Sequence, residues 1–300
     1  MKDLSRRDFF ALGAAAGLVA RPSTLAQFAV ERAPREMCVF SKPLQHLGFK
    51  ELAAEVSRMG FSGIEAPVRP GGHIEPERVP EELPLLIDAL RERGLAMTVL
   101  TSEINRADQD HARTTLETAA KLGVRRYRLK YYRYDLSKPV IPQLDNFRRM
   151  LEELVALNAE LGIKGIYQNH SGGNYVGAPI WDLHELIEGL SNEHIGVAYD
   201  IGHARVEGGM CWRIQHNLIR PRIDTLYIKD FIWSGKKRVN VPLGEGNLDR
   251  KIFRSLLSAD FRGPISLHME HVDHRKPELA KQRVAAIEAD QAFMQRWLKK

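Results

Sequence analysis

Residues 196–203 read GVAYDIGH: an apolar run that closes on Asp200, with His203 three residues further on. A carboxylate at the end of an apolar strand is costly unless it is paired, metal-bound or hydrated. The stretch therefore reads as a buried strand whose end opens into a site; the plainer alternative is that Asp200 caps the turn that follows. Seven other stretches share the form: MCVFS (37–41), GIEAP (63–67), MTVLTSE (97–103), YRLKYY (127–132), GIYQNHSG (165–172), LYIKD (226–230) and ISLHMEH (265–271). Their polar residues are Glu65, Glu103, Lys130, Gln168 with His170, Lys229 with Asp230, and His268 with Glu270. They recur roughly every 25–40 residues, about what a strand, a crossover helix and two loops require. Eight such units predict an α/β fold, a single closed (β/α)8 barrel whose C-terminal strand ends converge on one mouth.

Apolar spacing predicts helices between the strands. The clearest is 146–161, with Met150, Leu151, Leu154, Leu157 and Leu161 at three- and four-residue steps. The others fall at 49–59, 81–93, 112–122, 179–190, 212–219, 251–257 and 277–298. The competing architecture, an open doubly wound sheet, usually places a Gly-rich phosphate turn after its first strand. Here Ser41-Lys42-Pro43-Leu44-Gln45 follows instead. A Gly-rich loop does occur at 242–249, after the seventh strand, where barrels often grip a phosphate or substrate group. Gly244 and Gly246 are then candidate substrate contacts, or the loop is only a tight turn needing positive φ at two places.

The chain has 300 residues, 44% hydrophobic and 27% charged, which suits one domain with a large core. Cys38 and Cys211 lie in different units and form neither a metal spacing nor a disulfide framework. The formal charge of +6 is spread over short clusters such as Arg125-Arg126 and Lys236-Lys237-Arg238. With no long basic stripe, a nucleic-acid partner is not indicated.

The first 26 residues need separate treatment. Ser5-Arg6-Arg7-Asp8-Phe9-Phe10 resembles a twin-arginine export signal, and the apolar run after it is too short to span a bilayer. Thr24-Leu25-Ala26 offers a cleavage site. This predicts a signal at 1–26, a linker at 27–36 and the barrel at 37–300. It further implies the twin-arginine machinery as a partner and a periplasmic or otherwise exported protein.

Strand alternation puts Gln168 and His170 on one face, as it does His268 and Glu270. A lysine facing the mouth, as Lys229 would, can hold an oxyanion or polarise a carbonyl. Glu65 could bind a sugar hydroxyl or steady an arginine. His203 and Lys130 join Glu65 as candidate substrate contacts.

Taken together, Gly63-Ile64-Glu65, Gln168-Asn169-His170, Tyr199-Asp200-Ile201-Gly202-His203, Tyr227-Ile228-Lys229-Asp230, Gly244-Glu245-Gly246 with Asp249 and the eighth strand's ending resemble the xylose-isomerase-like TIM barrels. That family holds sugar isomerases and epimerases together with endonuclease IV relatives. The resemblance implies a divalent metal, bound in such epimerases by Glu, Asp, His and Glu on strands five to eight. The corresponding positions here are Gln168, Asp200, Tyr227 and His268, and only Asp200 matches. A set of Gln168, Asp200, His268 and Glu270 could still hold Mn, Mg, Co or Zn. Gln168 cannot exchange a proton, which weakens a two-carboxylate epimerisation. What survives is proton abstraction next to a carbonyl, with Glu270 as acceptor, a metal or Lys229 holding the enolate, and His170 or His268 the next candidates for the base. That step serves a sugar isomerase or epimerase, and equally a lyase or hydrolase acting on 3-keto-glycosides. The other readings are a non-catalytic sugar-binding barrel and, against the short ligand set, an endonuclease-IV-like phosphodiesterase. The expected partner is a small sugar or glycoside, and a homo-oligomer stays open.

Overall fold

A computed structural model describes residues 35–257 and 261–299. The expected export signal lies outside the described residues. Eight parallel strands close into a barrel: β1 (Met37–Phe40), β2 (Gly63–Pro67), β3 (Ala96–Thr101), β4 (Arg126–Arg128), β5 (Lys164–Gln168), β6 (Ile195–Asp200), β7 (Ile223–Ile228) and, after a hairpin, β10 (Ile265–Leu267). β10 closes the ring by pairing with both β7 and β1. The strands are nearly continuous apolar runs because helices cover the outer face and side chains fill the inner one. β1, β2 and β6 are buried along their whole length. Val99, Ile166, Ala198 and Tyr227 pack together as a separate cluster from β3, β5, β6 and β7.

Each crossover is helical: α1 (Phe49–Arg58), α2 (Val79–Arg91), α3 (Ala112–Lys121), α4 (Val140–Leu161), α5 (Trp181–Ile187), α6 (Ile201–Gly208) with α7 (Trp212–Ile219), and α8 (Arg250–Leu256), with α9 (Ala280–Leu298) after the last strand. No described helix is long and apolar enough to cross a membrane. The periodic stretch at 146–161 is the C-terminal part of α4, which begins six residues earlier and stops at Gly162 in the left-handed region. Leu144, Leu151, Leu154 and Leu157 are its buried apolar face.

Two elements depart from the sequence reading. α6 starts directly from Asp200, whose Oδ1 accepts the His203 N–H at 3.0 Å. Asp200 thus caps α6 with one carboxylate oxygen, and its other, Oδ2, meets Lys229 and Gln168. Residues 230–241 form an antiparallel hairpin, β8 (Asp230–Ser234) with β9 (Lys237–Val241), standing over the end of β7. Its turn uses Gly235 at φ +60°.

Candidate active site

β6 ends on Asp200, fully buried, and β7 is followed at once by Lys229, also buried. Lys229 Nζ lies 2.9 Å from Asp200 Oδ2, 3.2 Å from Glu270 Oε2 and 2.8 Å from His203 Nε2. An ammonium has three protons, and these three neighbours account for all of them. Burial would raise the Asp200 pKa, but the charges of Lys229 and His268 and the hydrogen bond from Lys229 outweigh it, so the carboxyl is held far below its usual range. Glu270 is likewise held ionised: Lys229 and His268 overcome its burial. Its side chain keeps 32% exposure, the accessible carboxylate of the group.

Burial, with Lys229, His170 and Arg238 nearby, pushes His203 well below its usual value, against the pull of Asp200. Its ring is therefore neutral. Lys229 faces one nitrogen, and Arg238 Nη1 faces the other at 3.0 Å, beside Ser171 Oγ at 2.9 Å. Both cations can only donate, and a neutral imidazole accepts at one nitrogen, so the ring serves one of them at a time.

Glu65 ends up beneath this layer. Its carboxylate is fully buried and accepts from Thr101 Oγ1 at 2.7 Å, Ser266 Oγ at 2.7 Å and His268 Nε2 at 2.9 Å. Burial raises its pKa, yet the charge and hydrogen bond of His268, with Arg128 and Ser266, bring it down to about 2. In return His268 is raised, Glu65 and Glu270 prevailing over burial. The His268 ring stacks on Phe40 at 4.7 Å. Its Nδ1 is buried without a hydrogen-bond partner and stands 3.8 Å from Glu270 Oε1.

Gln168 closes the floor on the β5 side. Its amide donates to Asp200 Oδ2 at 2.8 Å, while its oxygen accepts from Arg128 Nη1 and Tyr131 OH, both at 2.6 Å. His170 follows it, brought down to about 4 by burial and the Lys229 charge, and so is neutral near pH 7. Its ring packs against Tyr131, Tyr175 and His203.

These groups bound a cavity of about 170 Å³ whose wall includes Gln168, His170, Lys229, His268 and Glu270. The cavity thus gathers residues from β5, β7 and β10 that the sequence reading put at one mouth. Its remaining wall, Phe40, Lys42, Arg69, Arg128 and Tyr131, was not anticipated. Arg128 was legible in principle, as a charged residue within an otherwise apolar strand. Lys42 and Arg69 sit in loops without any such pattern.

The candidate substrate contacts sort differently. Lys130 lies in the loop beyond β4, half exposed, paired with Glu103 at 3.2 Å and turned to another surface cleft. The ladder has ended by then: Lys130 N–H bonds Ile104 O, and the inward place belongs to Arg128. Glu65 and His203 stand behind the cavity wall, not on it. The Gly-rich loop folds onto Asp230, whose carboxylate accepts from the N–H groups of Gly244, Gly246 and Leu248 at 2.9–3.0 Å. Those amides are spent within the protein. Only Gly244 has the positive φ, at +91°, where two such positions were expected.

The expected metal ligands do not present themselves as a set. The Lys229 ammonium occupies the space between Asp200 and Glu270, the Gln168 oxygen is turned to Arg128 and Tyr131, and the Nε2 of His268 is committed to Glu65. Among the described residues, the His and carboxylate group with ligand atoms within 4.8 Å of one another is His184, Glu185 and Glu188, at α5. His268 keeps its buried Nδ1 unpartnered 3.8 Å from Glu270 Oε1, so two donors stand side by side at the mouth, with the Lys229 ammonium in the place of a cation between Glu270 and Asp200.

Comparison with known proteins agrees with the architecture. The model of the xylose isomerase-like TIM barrel family matches residues 53–297, and the chain belongs to that family. No functionally curated protein sequence matches. Among solved structures, a xylose isomerase domain protein from Planctomyces limnophilus is 13% identical, with a TM-score of 0.67 over 88% of this chain and 97% of that one. The 3-keto-D-glucoside 4-epimerase of E. coli is 16% identical, with a TM-score of 0.65 over 88% and 100%. A D-allulose 3-epimerase from Methylomonas sp. is 17% identical, with a TM-score of 0.66 over 88% and 98%. At such identities the likeness is one of fold.

Proposed function

We propose that this member of the family is a sugar isomerase- or epimerase-like enzyme that moves a proton on the carbon next to a carbonyl. The observation that carries the reading is one small cavity walled by an ionised carboxylate, Glu270, a neutral imidazole, His170, and a buried unpaired ring nitrogen, His268 Nδ1. Glu270 and His170 come from β10 and β5, so two proton-transferring groups reach the cavity from different strands. In our reading Glu270 takes the proton. Lys229 stays against Asp200 and keeps Glu270 oriented, while His268, whose second proton Glu65 and Glu270 favour, would offer its Nδ1–H to the oxygen that gains charge. His170, on the β5 side, is neutral with its Nδ1–H on the Ser171 carbonyl, so its Nε2 can accept a proton from that direction, while Glu270 gives back the proton it took. The enzyme works in this account without a divalent ion, because the Lys229 ammonium already supplies the positive charge between the two carboxylates.

The same abstraction would begin a β-elimination from a 3-keto-glycoside, and the products tell the two outcomes apart. The decisive measurement is proton NMR in D2O on a panel of ketoses and keto-sugars. Exchange of the proton next to the carbonyl, reduced about 10²–10⁴-fold in Glu270→Gln, supports the proposal. No exchange on any keto-sugar, or full exchange by Glu270→Gln, removes it. A protein that binds sugars without exchange is a binding barrel.

We also propose export by the twin-arginine route, supported by Arg6-Arg7 and the apolar run that follows. Cell fractionation of the full chain and of an Arg6→Lys, Arg7→Lys variant tests it. Equal retention of both in the cytoplasm would overturn it.

A further inference from the structure

The cavity wall is unevenly charged. It carries four cations, Lys42, Arg69, Arg128 and Lys229, and one carboxylate, Glu270. Lys229 is fully matched by Asp200 and Glu270. The other three meet no carboxylate of the cavity wall at ion-pair distance. Arg128 is only 5% exposed, yet its hydrogen bonds go to neutral acceptors, Tyr131 OH at 2.9 Å and Gln168 Oε1 at 2.6 Å. Its Nε is buried with no partner at all. Arg69 reaches a carboxylate only at 3.5 Å, Glu103. Lys42 has no ion pair among the described residues. Burial and the neighbouring guanidinium of Arg128 lower Arg69, and burial with Arg69 and Arg128 lowers Lys42. Three cations thus share the wall with a single carboxylate, Glu270, which Lys229 already engages, while the charges of Glu65 beneath the floor and Glu103 outside it favour the charged form of Arg128.

Burying a guanidinium with no anion in contact is unfavourable. Such an arrangement is kept where a ligand supplies the missing charge, and strongly perturbed groups in a cleft mark such places. Arginine suits the purpose because its planar fork meets carboxylate or phosphate oxygens in pairs. The cavity, about 170 Å³, shares Phe40, Lys42, His170 and Glu270 with a neighbouring cleft of about 480 Å³, so a small sugar unit has room at its floor.

We infer that the mouth takes an anionic sugar, its carboxylate or phosphate held by Lys42, Arg69 and Arg128 while its carbonyl end faces Glu270 and His268. The inference rests on the cavity being the reaction site proposed above, and it narrows the substrate to sugars bearing an oxyanion. A neutral ketose would leave the three cations as unpaired as they are without it.

The test uses the purified full-length protein and three matched probes: a neutral ketose, a keto-uronate and a ketose phosphate of the same carbon number. Affinity is read by calorimetry and turnover by exchange in D2O. At least one anionic probe should bind about 10–100-fold more tightly than the neutral one, the range expected for charge-assisted hydrogen bonds. Which anion wins separates a carboxylate site from a phosphate site. Arg69→Met and Lys42→Met should each remove most of that preference. Arg113→Met, which loses the same charge from an exposed pair with Glu160 on α3, should keep it and so controls for general charge. Equal affinity for all three probes, no anion affinity at millimolar concentration, or a preference that survives both Arg69→Met and Lys42→Met overturns the inference. Anion binding that depends on Arg69 without any proton exchange upholds this inference and refutes the reaction proposed above.

Discussion

Replacing Lys229 by methionine tests the centre of the site, because it removes a cation from a cage that is otherwise negative and buried. Asp200 is fully buried and would keep only the Gln168 amide and the His203 N–H as donors. Breaking a buried ion pair by removing one partner costs about 3–5 kcal/mol. For a barrel of this size, each kcal/mol moves Tm by about 2–4 °C, so Tm should fall roughly 6–20 °C at pH 7. The pH dependence should also reverse. In the native protein the Asp200 carboxyl is depressed, so its stabilising effect is present above the unfolded value of 3.8 and is lost as pH falls through the lower folded value. Without Lys229, burial dominates and the folded value rises above the unfolded one. Stability from that carboxyl is then present at low pH and lost as pH rises through the folded value. Melting of wild type and Lys229→Met from pH 4 to 8 should show the gap narrowing toward acid. A variant that melts with wild type at pH 7, or a gap that widens toward acid, would show that Lys229 does not balance Asp200.

Three further outcomes follow from the same contacts. Glu65 is depressed from 4.5 to about 2, so its contribution is lost as pH falls across that window; Glu65→Gln should flatten the acid limb of the wild-type stability profile between those values, and an unchanged limb would contradict the buried pairing with His268. Exhaustive treatment with a chelator should leave the exchange activity intact and metal content substoichiometric, whereas loss of activity restored by Mn²⁺ would refute a site run by Lys229. A Cβ at Gly246 would lie 2.4 Å from both Asp230 Oδ1 and the Phe231 carbonyl, so Gly246→Ala should cost about 1–3 kcal/mol, measured by denaturant unfolding, while Gly173→Ala, with no heavy atom within 4 Å, should be near neutral.

The barrel was legible because each of its strands is an apolar run ending in a polar residue, and that pattern follows from burial on both faces with one open end. Asp200, His170, Lys229, His268 and Glu270 could be placed by the same rule. What the rule could not supply was the partner of each group. Sequence spacing cannot show that Glu65 points down to His268, 203 residues away, or that Lys229 settles between Asp200 and Glu270. The hairpin at 230–241 was missed because its strands are short and half exposed, so they carry no burial pattern. Alternation puts Arg128 and Lys130 on one face, and only the end of the ladder, set by tertiary contacts, decides which of them points inward.

That last choice changes the chemistry of the mouth. With Lys130 inward, the site would hold one flexible ammonium near solvent, able to pair with Glu103 and needing nothing from a ligand. With Arg128 inward, a guanidinium that does not lose its proton is buried against two neutral acceptors. No carboxylate touches it, although the charge of buried Glu65 favours its charged form, and Arg69 and Lys42 add positive charge beside it. Gln168 fits the same picture. A glutamate there would have neutralised Arg128 from within. The amide instead takes a hydrogen bond from Arg128 without cancelling its charge, and uses its NH2 to steady Asp200. The exchange of carboxylate for amide that weakens a metal site therefore leaves the cationic side of the cavity in want of an anion, which a substrate can bring.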